Sequence, residues 1–276
     1  MRPVPCGPVS LGGGPLFTIA GPDVLENREL TLETAHALRT AADRLGLPLV
    51  FKSSYLKANR TSDAAYTGPG LAAGLEILAQ VKAETGLPVL TDVHSIEEVD
   101  AVAEVADVLQ VPAFLSRQTF LIRAVAETGR VVNLKKGQFL APDDMARAVE
   151  KVTRTGNDKV ILTERGTCFG YHDLVVDMRT LGRLRRLGFP VVFDATHSVQ
   201  RPSAEGDRSG GEREHIALLA RAAVAAGVDG VFLETHPEPE RALCDAACQW
   251  PLAAFAPLIE DLLALHEVRT EAAARG

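Results

Sequence analysis

No long apolar run, no paired-cysteine spacing and no surplus of basic residues occur in this chain. Its apolar stretches are too short to cross a bilayer, and the first residues, Met1-Arg-Pro-Val-Pro-Cys-Gly-Pro8, do not make an apolar leader. The expectation is therefore a soluble cytoplasmic protein with no membrane partner. Lysine and arginine number 29 against 36 acidic residues, for a net charge of −7. Non-specific nucleic-acid binding needs a basic surface, so it is excluded and no nucleic-acid partner is expected. Cys6, Cys168, Cys244 and Cys248 form no CxxC pair and no disulfide framework; Cys244 and Cys248 read as buried small residues. Gly12-Gly13-Gly14 comes before the first strand rather than after it, which rules out a dinucleotide fingerprint. No linker, composition break or low-complexity tract divides the 276 residues.

What is there is alternation. Short apolar runs at Leu16–Ala20, Leu47–Lys52, Leu87–Val93, Val108–Val111, Val131–Lys135, Lys159–Thr163, Pro190–Asp194 and Gly230–Glu234 read as strands. Stretches of helical length lie between them. Leu71, Leu75, Leu78 and Val81 repeat on one helical face, as do Leu252, Phe255, Leu258 and Leu262. Gly46, Gly86, Gly129, Gly156, Gly188 and Gly227 stand as stop signals before the next strand. Eight such units predict an α/β fold, a single-domain TIM (β/α)8 barrel over residues 15–276, preceded by an amino-terminal extension of residues 1–14. That extension reads as a small hairpin or plug at the barrel base.

A barrel of this kind builds its site at the carboxyl ends of the strands. The second strand runs into Phe51-Lys-Ser-Ser-Tyr-Leu-Lys-Ala-Asn-Arg-Thr-Ser62, which carries Lys52, Lys57, Arg60, Asn59 and the hydroxyls of Ser53, Ser54, Thr61 and Ser62. The other ends supply Asp23, Asp92/His94, Gln110/Arg117, Lys135/Lys136, Glu164/Arg165, Asp194/His197 and Glu234/His236. Lys52, Lys57, Arg60, Arg117, Lys135 and Arg165 put six cations over one mouth of an acidic protein. Arginine pairs phosphate and carboxylate in a bidentate manner and lysine acts as a point charge, so the inventory fits two phosphates and a carboxylate. Asp23, His197, Glu234 and Asp245 form a second group, one imidazole and three carboxylates, suited to a divalent cation. The alternative for that group is a solvated rim in which Asp245 caps the last helix.

Residues 51–62, 109–119 (Leu-Gln-Val-Pro-Ala-Phe-Leu-Ser-Arg-Gln-Thr), 132–142 (Val-Asn-Leu-Lys-Lys-Gly-Gln-Phe-Leu-Ala-Pro), 163–171, 193–200 and 230–239 closely resemble the 3-deoxy-D-manno-octulosonate 8-phosphate synthases, also called 2-dehydro-3-deoxyphosphooctonate aldolases. The resemblance covers nearly the whole chain from residue 16. It implies a transferase of lipopolysaccharide biosynthesis that joins phosphoenolpyruvate, D-arabinose 5-phosphate and water, releasing inorganic phosphate. By motif it implies that Lys57, Lys135 and Arg165 hold phosphoenolpyruvate, with Lys52 and Gln110 in support. Asn59, Arg60 and Thr61 would bind the pentose phosphate, joined by Arg117 of a neighbouring subunit in a homotetramer. Phe114 would line the substrate site. Lys57, Asp92, Lys135, His197 and Asp245 are the implied catalytic residues, Asp92 and His197 placing water and polar substrate groups.

Four departures from the family pattern, Thr61, Ser116, Phe120 and Asp143, alter no assigned role. Asp23, in Ala20-Gly-Pro-Asp-Val-Leu-Glu26, is the informative one, because metal-dependent members carry cysteine there and metal-independent ones asparagine. Either a divalent cation such as Mn²⁺ binds Asp23, His197, Glu234 and Asp245, or Asp23 pairs with a lysine such as Lys52, or a raised pKa keeps one carboxyl protonated. The rival readings are the related seven-carbon synthase, which takes erythrose 4-phosphate, and a non-catalytic phosphosugar-binding barrel. Asn59, inserted in Lys57-Ala-Asn-Arg60, favours the pentose.

Overall fold

The computed structural model describes residues 2–60, 62, 64–205 and 208–275; Thr61 lies outside them. Among the described residues, eight parallel barrel strands alternate with eight α-helices. The strands are β1 (Phe17–Gly21), β2 (Leu49–Lys52), β3 (Val89–Asp92), β4 (Val108–Val111), β5 (Val131–Lys135), β6 (Val160–Glu164), β7 (Val191–Asp194) and β8 (Gly230–His236). The helices following them are α1 (Arg28–Leu45), α2 (Leu71–Thr85), α3 (Val99–Val105), α4 (Thr119–Glu127), α5 (Met145–Thr153), α6 (Arg179–Arg185), α7 (Ile216–Ala226) and α8 (Phe255–Arg275). Each strand pairs with its neighbour, and β8 pairs with both β7 and β1, so the sheet closes into a single-domain barrel. Asp194 opposite Phe232 and Glu234 opposite Gly21 mark the closing registers.

Side chains alternate across each strand. Leu49, Phe51, Val89, Leu109, Val132, Leu134, Leu162 and Leu233 face outward into the helix layer. Phe17, Ile19, Val50, Leu90, Val108, Val131, Ile161, Val192 and Phe232 fill the barrel at its amino-terminal end. Two residues further along the same inward faces come Lys52, Asp92, Gln110, Asn133, Thr163, Asp194 and Glu234, all buried. The interior thus passes from hydrocarbon to polar groups within one side-chain layer.

Val4–Cys6 pairs antiparallel with Val9–Leu11, and Val4, Cys6 and Leu11 complete the apolar cluster under the barrel. A side chain at Gly230 would meet the Phe17 ring 2.6 Å away, so this glycine lets β8 and the base packing approach. The six stop-signal glycines all take positive φ, between 62° and 102°. β8 runs two residues past its expected end, to His236, because Thr235 and His236 pair with Trp250 and Pro251. No helix among the described residues is long and apolar enough to cross a membrane.

Candidate active site

The polar layer works as linked ion pairs. Lys52 Nζ contacts Glu234 Oε1 at 2.5 Å, donates to the Asp23 carbonyl at 2.9 Å and stands 3.5 Å from Asp23 Oδ1. Lys57, from the loop after β2, contacts the same Asp23 oxygen. Lys135 meets Asp194 Oδ2 at 2.7 Å, and His197 Nδ1 meets that carboxylate at 2.9 Å. The Phe232 ring lies beneath, with the Lys135 ammonium 4.2 Å and the Lys52 ammonium 5.5 Å from its centroid. Burying an ammonium without a counter-charge costs several kcal/mol, about 3–5 when one partner of such a pair is removed, which is why each inward lysine has a carboxylate beside it.

Burial would raise the Asp23 carboxyl, but the ammoniums of Lys57 and Lys52 hold it well below the usual range. Lys57, despite burial, is pushed well above its ordinary value by Asp23, Glu234 and Asp92. Asp194, buried against His197 and Lys135, is lowered in the same way. His197 is lowered to about 4 by burial, which outweighs Asp194. Its imidazole is neutral at pH 7, Nδ1–H donating to Asp194 and Nε2 left as an acceptor. Burial and the charge of Asp23 push Glu234 up to about 8 and Asp245 up to about 6.

One point in this network gathers acceptors. Asp23, His197 and Asp245 each offer a ligand atom within 4.8 Å of the others. His197 Nε2 lies 3.6 Å from Glu234 Oε2 and 3.9 Å from Asp245 Oδ2. Among the described residues, neither Asp23 Oδ2 nor Glu234 Oε2 has a hydrogen-bond donor. Three oxygens and an imidazole nitrogen converging with few donors fit a hard divalent cation. Glu234 stands outside the tight trio, its Oε1 already taken by Lys52. Asp245 comes from the segment after β8, where its backbone is left-handed, φ 46°.

Two cavities meet here. The smaller, about 180 Å³, is lined by Lys52, Lys57, Lys135, Arg165, Gln110 and Asp92, with Phe114 at its edge. The larger, about 720 Å³, is lined by Arg60, Asp245, Gln200 and Cys244. Lys57, Asn59 and His197 border both. Arg60 is held by Cys244 Sγ at 2.5 Å and the Leu243 carbonyl at 3.4 Å. Arg117 lines neither cavity of its own chain and its side chain is exposed.

Two strand-end charges turn away from the mouth. Lys136 follows inward Lys135 and so faces outward, where it donates to the Gly137 and Gly166 carbonyls and lies 3.6 Å from Glu164. Four residues given no role by the sequence argument are built into the site. Asp194 orients both Lys135 and His197. Gln200 accepts from Arg165 at 2.8 Å and donates to Asp245 at 2.8 Å. Ser54 donates to Asp92, which Gln110 also contacts. Asn133 donates to Gln110 at 2.8 Å; a polar residue at the centre of the apolar run Val131–Lys135 was its signal.

The chain matches the profile of the DAHP synthetase I family over residues 5–272. A 2-dehydro-3-deoxyphosphooctonate aldolase from Syntrophobacter fumaroxidans is 59% identical over 259 residues, 94% of this chain and 90% of its own. One from Nitratidesulfovibrio vulgaris strain DP4 is 59% identical over 249 residues, 90% and 91% of the two chains. One from Geobacter metallireducens is 56% identical over 268 residues, covering 97% of this chain and 98% of its own.

Proposed function

Because the chain belongs to the DAHP synthetase I family, we propose that it condenses phosphoenolpyruvate with D-arabinose 5-phosphate and water, giving 3-deoxy-D-manno-octulosonate 8-phosphate and inorganic phosphate. The observation that carries this reading is the pair of cation-lined cavities meeting at Lys57, Asn59 and His197. Four cations around the smaller cavity suit a phosphate and a carboxylate on one three-carbon molecule. Arg60 in the larger one suits the phosphate of the sugar.

C3 of the enol attacks the aldehyde carbon, whose oxygen takes a proton. Water adds its oxygen to C2, and the C2–O bond to phosphate breaks to leave the ketone. Neutral His197, with Nδ1 pinned by Asp194, has one lone pair at Nε2, which would accept a hydrogen bond from water or substrate in the metal-free site and be taken by a cation where one is bound. Asp92, kept ionised by Lys52 and Lys57 against the cost of burial, accepts from water or a substrate hydroxyl. Lys135, Lys57 and Arg165 stabilise negative charge as it moves onto the leaving phosphate.

Asp23, His197 and Asp245, with Glu234 beside them, would hold a divalent cation of the Mn²⁺ type. Such an ion polarises oxygen and compensates the carboxylate charge. A homotetramer is the assembly we favour. Arg117 is exposed, as are Phe114 and Phe120 three residues to either side of it in sequence, which suits a neighbour's pentose-phosphate site.

The reaction is tested by phosphate release with each sugar phosphate. Arabinose 5-phosphate is expected to be used at least about tenfold better than erythrose 4-phosphate, or about 1.4 kcal/mol of discrimination. Equal turnover would assign the chain to the seven-carbon reaction. No release with either would leave a binding barrel.

A further inference from the structure

Five side chains cross the barrel interior in one line of hydrogen bonds. Thr163 Oγ1 on β6 donates to Asn133 Oδ1 on β5 at 2.7 Å. Asn133 Nδ2 donates to Gln110 Oε1 on β4 at 2.8 Å, and Gln110 Nε2 donates to Asp92 Oδ1 on β3. Ser54 Oγ donates to the other Asp92 oxygen. The registers that set Asp92 opposite Gln110 and Gln110 opposite Asn133 bring these groups into reach. Asn133 and Thr163 are fully buried, and neither lines either cavity.

The chain has only one workable direction. An ionised carboxylate accepts and does not donate, so Gln110 must turn its NH₂ toward Asp92. Its Oε1 then faces β5 and needs a donor, which is Asn133. That fixes the Asn133 amide in turn, and Oδ1 receives the Thr163 hydroxyl. Run the other way, Gln110 Oε1 would oppose the Asp92 carboxylate, two acceptors with no proton between them. A buried amide oxygen left without its donor is costly, so without Asn133 the Gln110 side chain is no longer held in this one orientation.

We propose that Asn133 and Thr163 are positioning residues of the reaction. They reach no substrate, and they lock Gln110 with its N–H on Asp92 and its plane fixed at the wall of the smaller cavity. This role rests on the reading above that phosphoenolpyruvate occupies that cavity.

Phosphate release is measured for Asn133→Leu, Gln110→Leu, their double variant, Thr163→Val and Thr163→Ser. Asn133→Leu is expected to lower kcat/KM for phosphoenolpyruvate about tenfold while leaving KM for the sugar within about twofold. In the Gln110→Leu background the same substitution should change it less than about twofold, since it acts only through Gln110. Thr163→Val should lose about threefold and Thr163→Ser should match the wild type. Independent, multiplicative losses from Asn133 and Gln110 would overturn the proposal, as would a fully active Thr163→Val. If Asn133→Leu does not fold, Thr163→Val with and without Gln110→Leu decides, because that change keeps the side-chain volume. Absence of turnover in the wild type overturns the assigned reaction, and calorimetric affinity for phosphoenolpyruvate then runs the same cycle without turnover.

Discussion

Asp23 is the residue on which charge balance turns. Its buried carboxylate faces Lys57 and Lys52 through one oxygen, while the other has no donor among the described residues. The three carboxylates Asp23, Glu234 and Asp245 repel one another despite Lys52 and Lys57 and the charges of Lys135, Arg60 and Arg165 that also act on Glu234 and Asp245, and the repulsion is relieved either by a cation or by protons on Glu234 and Asp245. With the cation, exhaustive chelation lowers activity, Mn²⁺ restores it, and Mn²⁺ raises Tm of the stripped protein by binding the folded state alone. Asp23→Asn, which removes one of the three charges, then leaves chelator-resistant activity. Full wild-type activity with metal content below about a tenth of an ion per site would show that lysine and proton compensation suffices.

Among the elements, the strands divide labour along their length. Their amino-terminal halves place Val50, Leu90, Val108 and Val131 inward, and their carboxyl ends place Lys52, Asp92, Gln110 and Asn133 on the same faces. The hairpin of Val4–Cys6 and Val9–Leu11 closes the hydrocarbon end, so the polar end works above a dry floor. Leu11 is fully buried there. Leu11→Ala is expected to cost about 2–5 kcal/mol in urea unfolding while phosphate release at saturation stays within about twofold, because the site is at the opposite end. A loss of less than about 1 kcal/mol would mean that the hairpin adds nothing to the core.

At the scale of the molecule, two behaviours integrate many residues. The first is the pH dependence of stability. Glu234, at about 8 when folded, binds a proton that the unfolded chain has already released above its ordinary 4.5. Through that window the folded state holds more protons, so this residue's contribution falls as pH rises. Asp23, Asp92 and Asp194 are lowered when folded, so their contribution is present above the ordinary carboxylate range and is lost in acid. Glu234→Gln should therefore flatten the decline of Tm between about pH 5 and pH 8 in metal-free protein; an unchanged slope would mean that the carboxyl is ionised throughout. The second behaviour is assembly. Arg117→Ala is expected to raise KM for the sugar at least about fivefold and that for phosphoenolpyruvate by less than about twofold. A fully active monomer on light scattering would contradict the shared site.

The eight-unit barrel is legible in the chain's local patterns, because apolar runs, helical faces and stop-signal glycines are set by backbone sterics and burial. The sequence also determined that charge collects at the strand ends. Which charges meet is set by the closed barrel. Lys135 and Lys136 are adjacent in sequence yet face opposite sides of the sheet, and only the closed barrel sets one on Asp194 and the other on Glu164. The contact of Lys57 with Asp23, the bridge of Gln200 between Arg165 and Asp245, and the line from Thr163 to Asp92 likewise join residues 34 to 80 positions apart. Such pairings depend on strand register and closure. A one-residue slip would turn each of these side chains to the other face, and no local pattern records it.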